Sequence, residues 1–155
     1  MPRSRRRDGS KTVLSQEPLG IGIDLVTLPR FAEFASRPDG DLSAVFTEAE
    51  LRAAESHGSR DLYLATRWAL KEAALKALGT GWSAGIEWTD VEIAGALLAP
   101  RYMLKGRAQE IAEGLGAGRL LGSVACDGSV VVAVAALERA PGSRRSGGSH
   151  QVLSG

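Results

Sequence analysis

Two β-rich runs near the C-terminus, 120–126 and 129–137, are separated by only two residues, Asp127 and Gly128. An Asp-Gly pair between such runs predicts a type I′ hairpin, because both central residues of that turn need a positive φ that this pair tolerates. This is the sharpest local signal in the chain. It indicates that antiparallel strands form part of the fold.

Other periodic segments add strands and helices to this hairpin. Residues 19–26 alternate in period two, which predicts a strand with bulky apolar side chains on one face and Gly20, Gly22 and Asp24 on the other. The remaining expected elements are strands at 86–93 and 100–104 and helices over 28–36, 47–58, 61–78 and 106–115.

Several helix ends have specific signals. Thr47 and Glu50 are spaced as a capping box at the start of the second helix. The longest helix should stop at Gly79, which can adopt the left-handed C-cap conformation. The first helix should end at 37–40, where proline and glycine discourage continuation. We therefore predict an α+β fold with one long helix packed on a mainly antiparallel sheet.

The composition favours one soluble domain. A chain of 155 residues with 44% hydrophobic content can build one ordinary core, which we expect at 19–140 between a disordered basic leader, 1–18, and a disordered tail, 141–155. The ends hold seven of the 19 basic residues but no aromatic residue, so nucleic-acid binding is disfavoured. The sole cysteine, Cys126, cannot form an intramolecular disulfide, and no apolar run could span a membrane, so a cytoplasmic location is expected.

The long helix carries an acid within its expected apolar stripe. Leu64, Trp68 and Leu75 should face the core, and Glu72 falls among them at helical spacing. A buried carboxylate needs a cation, either a metal or a side chain. The simpler alternative is an ordinary helix pair between Glu72 and Lys76, one turn later.

A second carboxylate, Asp24, lies on the strand face that the two glycines clear. The cleared face should leave room beside Asp24 for something larger than water. One carboxylate from a strand and one from a helix can hold Mg²⁺, which keeps several waters and usually also binds phosphate oxygens. Alternatively, Asp24 could cap the helix that begins near Leu28. Together, Asp24 and Glu72 form a candidate magnesium site for a phosphate-bearing ligand.

Three cations, Arg67, Lys71 and Lys76, lie close to Glu72 in sequence. The segment Gly79-Thr80-Gly81 would let the backbone approach a ligand closely. A helix C-terminus repels anions, so this segment is not a phosphate site by itself. The lysines and the arginine would have to attract the phosphates.

Three ordered segments resemble the signature blocks of the holo-acyl-carrier-protein synthase family, a group of phosphopantetheinyl transferases. They are 22–26 (GIDLV) with Arg30-Phe31, then Phe46-Thr47 with Glu50, and then 67–81, which reads RWALKEA and ends in GTG. With 88–93 they cover about residues 19–139. Each motif alone is weak, whereas the ordered set is specific.

The resemblance implies a 4′-phosphopantetheinyl transferase-like fold and an enzyme of fatty-acid or polyketide biosynthesis. The enzyme would transfer 4′-phosphopantetheine from coenzyme A to a serine of an apo acyl carrier protein and release adenosine 3′,5′-bisphosphate. The implied base is Glu72, directly or through a metal-bound water, and Lys76 would stabilise phosphate charge. Family members are typically trimers with shared sites, which implies a homotrimer.

The resemblance also implies a set of binding residues. Mg²⁺ would be held by Asp24 and Glu72. Coenzyme A would be held near Arg67, Lys71, Lys76, Gly79, Thr80 and Gly81. The acidic recognition helix of the carrier protein would contact Arg30, Phe34 and Arg37.

The chain departs from the family pattern near its C-terminus. Family members usually carry Ser-x-Ser/Thr-His, with the histidine reaching the coenzyme A phosphates, where 123–127 reads SVACD. Cys126 thus replaces the histidine, and Asp127 would weaken phosphate binding unless it turns outward. The usual Gly-x-Pro segment is altered at Ala99-Pro100. These changes favour a second interpretation, a non-catalytic member that binds carrier protein or coenzyme A, whereas the intact metal side favours an active enzyme.

Overall fold

The computed structural model describes residues 17–37 and 40–142. Within those ranges, the five strands are β1 (Gly20–Thr27), β2 (Val91–Ala96), β3 (Ala99–Leu104), β4 (Ala117–Asp127) and β5 (Val130–Arg139). In the same ranges, the five α-helices are α1 (Leu28–Ala35), α2 (Leu42–Val45), α3 (Glu48–Glu55), α4 (Arg60–Leu78) and α5 (Gly106–Gly114). Most of the expected leader, 1–18, and tail, 141–155, lies outside the described residues.

The strand pairs that the structure describes are all antiparallel. β5 lies between β1 and β4 in a three-stranded sheet, and β2 pairs with β3 in a separate two-stranded sheet. The 19-residue helix α4 packs on one face of the larger sheet, where it contacts β1 and β5. The predicted α+β fold, with one long helix on a mainly antiparallel sheet, is confirmed.

The start of α3 and the end of α4 follow the predicted local signals, whereas α3 ends at Glu55 rather than near 58 and α2 was not predicted. Thr47 and Glu50 form the predicted capping box, with Oγ1 of Thr47 accepting from the Glu50 amide at 3.3 Å and Oε2 of Glu50 accepting from the Thr47 amide at 2.9 Å. Gly79, with φ of 73°, ends α4 in the left-handed conformation. The strand predicted at 86–93 begins only at Val91, because the residues before it form a locally capped 3-10 turn.

The turn of the C-terminal hairpin lies one residue later than predicted. Asp127 pairs with Val130 across the ladder, so Gly128 and Ser129 are the turn residues. Gly128 has φ of 56°, and the described residues include no positive φ outside glycine. A positive φ at the first central position alone is the pattern of a type II′ turn, so the prediction of a type I′ turn is wrong.

The glycine face of β1 is occupied by the backbone of α4. A Cβ atom on Gly20 would lie 2.0 Å from the carbonyl oxygen of Ala77, and one on Gly22 would lie 1.9 Å from that of Ala73. The expectation that these glycines leave room for a ligand beside Asp24 is therefore wrong. They instead let α4 approach the sheet closely, and this approach brings α4 side chains next to Asp24.

We expect Gly22→Ala to destabilise the protein by about 1–3 kcal/mol, because the added methyl group overpacks the contact between β1 and α4. The matched control is Gly58→Ala, since a Cβ at Gly58 meets nothing within 4 Å. Urea unfolding followed by circular dichroism measures both changes. Equal stabilities of the two variants would contradict this account of the packing.

The other face of the larger sheet is apolar and uncovered. Ile21, Ile23 and Leu25 are 57%, 58% and 55% exposed, and Val134 beside them on β5 is 36% exposed. The alternation predicted for β1 is therefore confirmed, but its bulky residues point away from the core. The helices that the structure describes are each too short or too polar to cross a lipid bilayer.

Candidate active site

One row of side chains on α4 is open while the rest of the helix is enclosed. Between Tyr63 and Leu78, the residues that are not buried are Trp68, Glu72 and Lys76. Their spacing of four residues places them in a single row along the helix. This row lies against β1 and α1, which supply the remaining side chains of the candidate site.

The buried charges on α4 are not the ones predicted from the sequence. Glu72 was expected in a core stripe with Leu64 and Leu75, whereas it is half-buried at the edge. Arg67 and Lys71, in contrast, are fully buried. Strands of both sheets and several helices pack around α4. Because the helix is enclosed in this way, hydrophobic periodicity cannot distinguish its faces.

Asp24 on β1 is joined to α4 by Lys76. Nζ of Lys76 donates to Oδ1 of Asp24 at 2.8 Å and to the carbonyl oxygen of Ile23 at 3.0 Å. The Asp24 side chain is 17% exposed and that of Lys76 is 49% exposed. Lys76 therefore forms its ion pair with Asp24, which links helix to strand, rather than the alternative helix pair with Glu72.

The carboxyl group of Glu72 has a pKa above its ordinary value. Burial is the main cause and the negative charge of Asp24 adds to it, while Lys76 and Arg30 act in the opposite direction. The proximity of two carboxylates thus disfavours the charged form of Glu72. A bound cation would relieve this repulsion.

The donor set at this position fits Mg²⁺. The described residues contain no group of three or more His, Cys, Asp or Glu side chains that could hold a metal ion. Asp24 and Glu72 supply two carboxylates here, and both have partly exposed side chains. Mg²⁺ is commonly bound by one or two carboxylates and keeps several waters, so this sparse oxygen-donor set suits it.

Asp24 and Glu72 line a cleft with a volume of about 290 Å³, and α1 forms another wall of the same cleft. Arg30, Phe34 and Arg37, the three residues expected to bind a carrier protein, all line it. The structure thus brings the candidate metal ligands and the candidate carrier-binding residues together in one cleft.

Two further residues of this cleft were missed in the sequence. Trp68 was assigned to the core, but it is only partly buried, and its ring centroid lies 4.5 Å from that of Phe34. Glu33 also lines the cleft. Its position three residues after Arg30 and four before Arg37 was the available signal, because such residues share one side of a helix.

Lys71 has no exposed surface toward the cleft. Its Nζ donates to the carbonyl oxygens of Trp88 and Val91 at 3.0 and 2.5 Å and pairs with Oε2 of Glu50 at 2.9 Å. Burial lowers the pKa of Lys71, and the charge of Glu50 partly offsets this effect. Lys71 therefore ties α4 to α3 and β2, and this placement does not support its expected contact with coenzyme A.

Arg67 is also buried, but some of its guanidinium N–H donors lack hydrogen-bond partners in the part of the chain that the structure describes. Nη2 donates to the carbonyl oxygen of Gly95 at 2.7 Å, and the guanidinium lies 4.0 Å from the ring centroid of Tyr63. Nε and Nη1 have no hydrogen-bond partner among the described residues. These two nitrogens are therefore unused hydrogen-bond donors in the interior of the described structure.

The segment Gly79-Thr80-Gly81 follows α4 directly. Gly79 and Gly81 have φ of 73° and 51°, and a Cβ atom at either would meet nothing within 4 Å. The backbone is therefore open to a ligand on that side.

On β4, Cys126 and Asp127 are exposed, in line with an outward position for Asp127.

Comparison with known proteins identifies the family. The sequence model described as the 4′-phosphopantetheinyl transferase superfamily matches residues 20–113, which include Asp24, Glu72 and Lys76. The chain belongs to this superfamily. The resemblance drawn from the three sequence blocks is thereby confirmed.

Relatives of this phosphopantetheinyl transferase carry the name holo-acyl-carrier-protein synthase. The protein from Koribacter versatilis is 38% identical over 122 residues, which cover 77% of this chain and 98% of that one. The protein from Edwardsiella ictaluri is 42% identical over 109 residues, covering 69% of this chain and 86% of that one.

Solved synthases share the fold. The enzyme from Neisseria meningitidis superposes with a TM-score of 0.71 at 28% identity, covering 79% of this chain and 99% of that one. A complex of a synthase with coenzyme A, from Chronobacterium ammoniagenes, gives a TM-score of 0.66 at 31% identity, covering 78% of this chain and 97% of that one.

Proposed function

We propose that this phosphopantetheinyl transferase moves 4′-phosphopantetheine from coenzyme A to a serine of an apo acyl carrier protein. The observation that carries the proposal is that Asp24, Glu72 and Lys76 come together beside a cleft that Arg30 and Arg37 also line. Relatives that are 38% and 42% identical carry the matching synthase name. They give no support to the second interpretation, a non-catalytic carrier-binding protein.

In the proposed reaction, the serine oxygen of the carrier attacks the β-phosphorus of coenzyme A. The bond from that phosphorus to the oxygen of the departing adenosine 3′,5′-bisphosphate breaks as the new bond forms. Glu72, which lines the cleft, accepts the serine proton. Lys76, fixed by Asp24 and half-exposed, stabilises negative charge on the phosphates.

We also propose that Asp24 and Glu72 hold Mg²⁺. A bound magnesium ion would supply charge neutralisation for the pyrophosphate. The protein residues have two further roles. Asp24 orients the Lys76 ammonium, and the partial burial of Glu72 excludes some water from its carboxyl group.

For coenzyme A itself, we propose contacts with Lys76 and with the open backbone at Gly79, Thr80 and Gly81. Arg67 remains a candidate phosphate ligand because two of its buried donors lack partners among the described residues. Lys71 is left out of the proposed contacts, because its three hydrogen-bonding directions are already taken by protein oxygens.

We propose that the protein is a cytoplasmic homotrimer. The uncovered apolar face formed by Ile21, Ile23, Leu25 and Val134 supports an assembly, because contiguous exposed apolar surface is characteristic of interfaces. The single cysteine requires no oxidising compartment, which supports the proposed location.

The test is a transfer assay with full-length protein, coenzyme A, MgCl₂ and an apo acyl carrier protein, followed by intact mass spectrometry. We expect the carrier to gain one phosphopantetheine group, and a carrier whose acceptor serine is alanine to gain nothing. Light scattering on the same sample should give about three times the 16.3 kDa chain mass. No gain with any of several carriers, by folded protein that binds them, would reject the proposed function.

A further inference from the structure

An acidic residue stands among the cations of the cleft wall. Glu33 and Arg37 lie on one side of α1 and its following turn, with Oε1 of Glu33 3.7 Å from Nη2 of Arg37. Their side chains are 74% and 59% exposed. Glu33, Arg30 and Arg37 all line the cleft that also contains Glu72.

The geometry of the pair leaves the guanidinium of Arg37 available. A separation of 3.7 Å exceeds a charge-assisted hydrogen bond, which is roughly 2.7–2.9 Å long. Exposed pairs of this kind contribute little stability, because water screens them and two long side chains must be held in place. A carboxylate arriving from a partner can therefore replace Glu33 at Arg37.

We propose that Glu33 is a specificity-determining residue that weakens binding of acidic partners by competing for Arg37. This inference rests on the proposed function and on the expected docking of an acidic carrier protein at Arg30, Phe34 and Arg37. Glu33 opposes a docking carboxylate in two ways. It occupies Arg37, and its own negative charge repels the carboxylate of the partner. Arg37 can bind a partner strongly only where that partner supplies a better-placed carboxylate than Glu33.

The test compares Glu33→Gln with wild type by titrating a fluorophore-labelled apo acyl carrier protein and by measuring KM for the carrier. We expect Glu33→Gln to lower Kd and KM by about two- to fivefold at low salt. KM for coenzyme A should stay unchanged. At about 1 M salt, where the Debye length is roughly 3 Å, the gain should largely disappear.

Glu48→Gln is the matched control because it makes the same change in net charge at a similar pair. Glu48 also forms an i,i+4 pair, with Arg52 on α3, and its side chain is 80% exposed. It does not line the cleft of α1. If Glu48→Gln tightened carrier binding as much as Glu33→Gln, the effect would be one of overall charge and the inference would fail.

A double-mutant cycle separates competition for Arg37 from simple repulsion. Arg37→Gln alone should weaken carrier binding, and adding Glu33→Gln to it should restore little. Full retention of the Glu33→Gln gain without Arg37 would overturn the competition. Unchanged carrier affinity of Glu33→Gln would overturn the inference while leaving the transferase intact, whereas absence of transfer by wild type would reject the proposed function. The binding titration still tests Glu33 in that case.

Discussion

Glu72→Gln is expected to abolish phosphopantetheine transfer and, at neutral pH, to stabilise the folded protein. The amide cannot accept the serine proton, and loss of a general base typically lowers the rate by about 10²–10⁴-fold. Glutamine also removes a negative charge that is partly buried and close to Asp24. The substitution therefore improves folding at the expense of activity.

The pH dependence of this stability gain has a definite sign. The pKa of Glu72 is raised in the folded state, so the folded protein binds this proton more tightly than the unfolded chain does. The contribution of Glu72 to stability is thus fully present below its ordinary pKa and is lost as the pH rises through the folded-state value. Glutamine does not titrate, so the advantage of Glu72→Gln should grow from pH 4 toward neutrality and then level off.

Urea unfolding between pH 4 and 8 in magnesium-free buffer measures that advantage, and the intact-mass transfer assay measures the activity. Glu48→Gln serves as the control for both, because Glu48 is an exposed glutamate outside the cleft. A Glu72→Gln protein that is less stable than wild type at pH 7 would contradict the repulsion between Glu72 and Asp24. Retained transfer would remove Glu72 from the proposed mechanism.

The start of α3 and the end of α4 were predictable because their signals are local. A capping box needs only Thr47 and Glu50, and a left-handed C-cap needs only Gly79. The antiparallel character of the sheet was also accessible from the hairpin pattern. These features depend on residues a few positions apart, whose preferences do not change with the rest of the fold.

The interior contacts of the site were not predictable in the same way. Lys76 bonds to Asp24, 52 residues away, and whether it turns to Asp24 or to Glu72 depends on how closely β1 and α4 pack. Period-two alternation correctly separated the two faces of β1, but it could not say which face is inside. The glycine face is the packed one, because a side chain at position 22 would collide with the backbone of α4.

The sequence also did not show which charged residues of α4 are buried and which line the cleft, because this too depends on the packing around the helix. Lys71 and Glu72 are adjacent in sequence, yet one lies in the interior and the other lines the cleft. A helix turns by about 100° per residue, so a charge can become a structural ion pair while its neighbour remains available for chemistry. The acid that pairs with Lys71 was visible in the sequence only as a capping residue.

Glu50→Gln is expected to cause the largest loss of stability among these substitutions. Glu50 and Lys71 are 2% and 0% exposed at their side chains and lie 2.9 Å apart. Oε1 of Glu50 also accepts the amide of Ile93 at 2.9 Å, which links α3 to β2. Removing one charge leaves the Lys71 ammonium buried without its counter-ion, and such losses typically amount to about 3–5 kcal/mol.

Two companion variants separate the buried ion pair from the helix cap that Glu50 also completes. Thr47→Ala removes the side-chain cap of α3 and leaves the ion pair intact, so it should cost only about 1 kcal/mol. Lys71→Met in the Glu50→Gln background should recover part of the loss, because a thioether chain of similar length needs no counter-ion. Urea unfolding gives all three values. If Glu50→Gln cost no more than Thr47→Ala, the charge of Glu50 beside Lys71 would contribute nothing to stability.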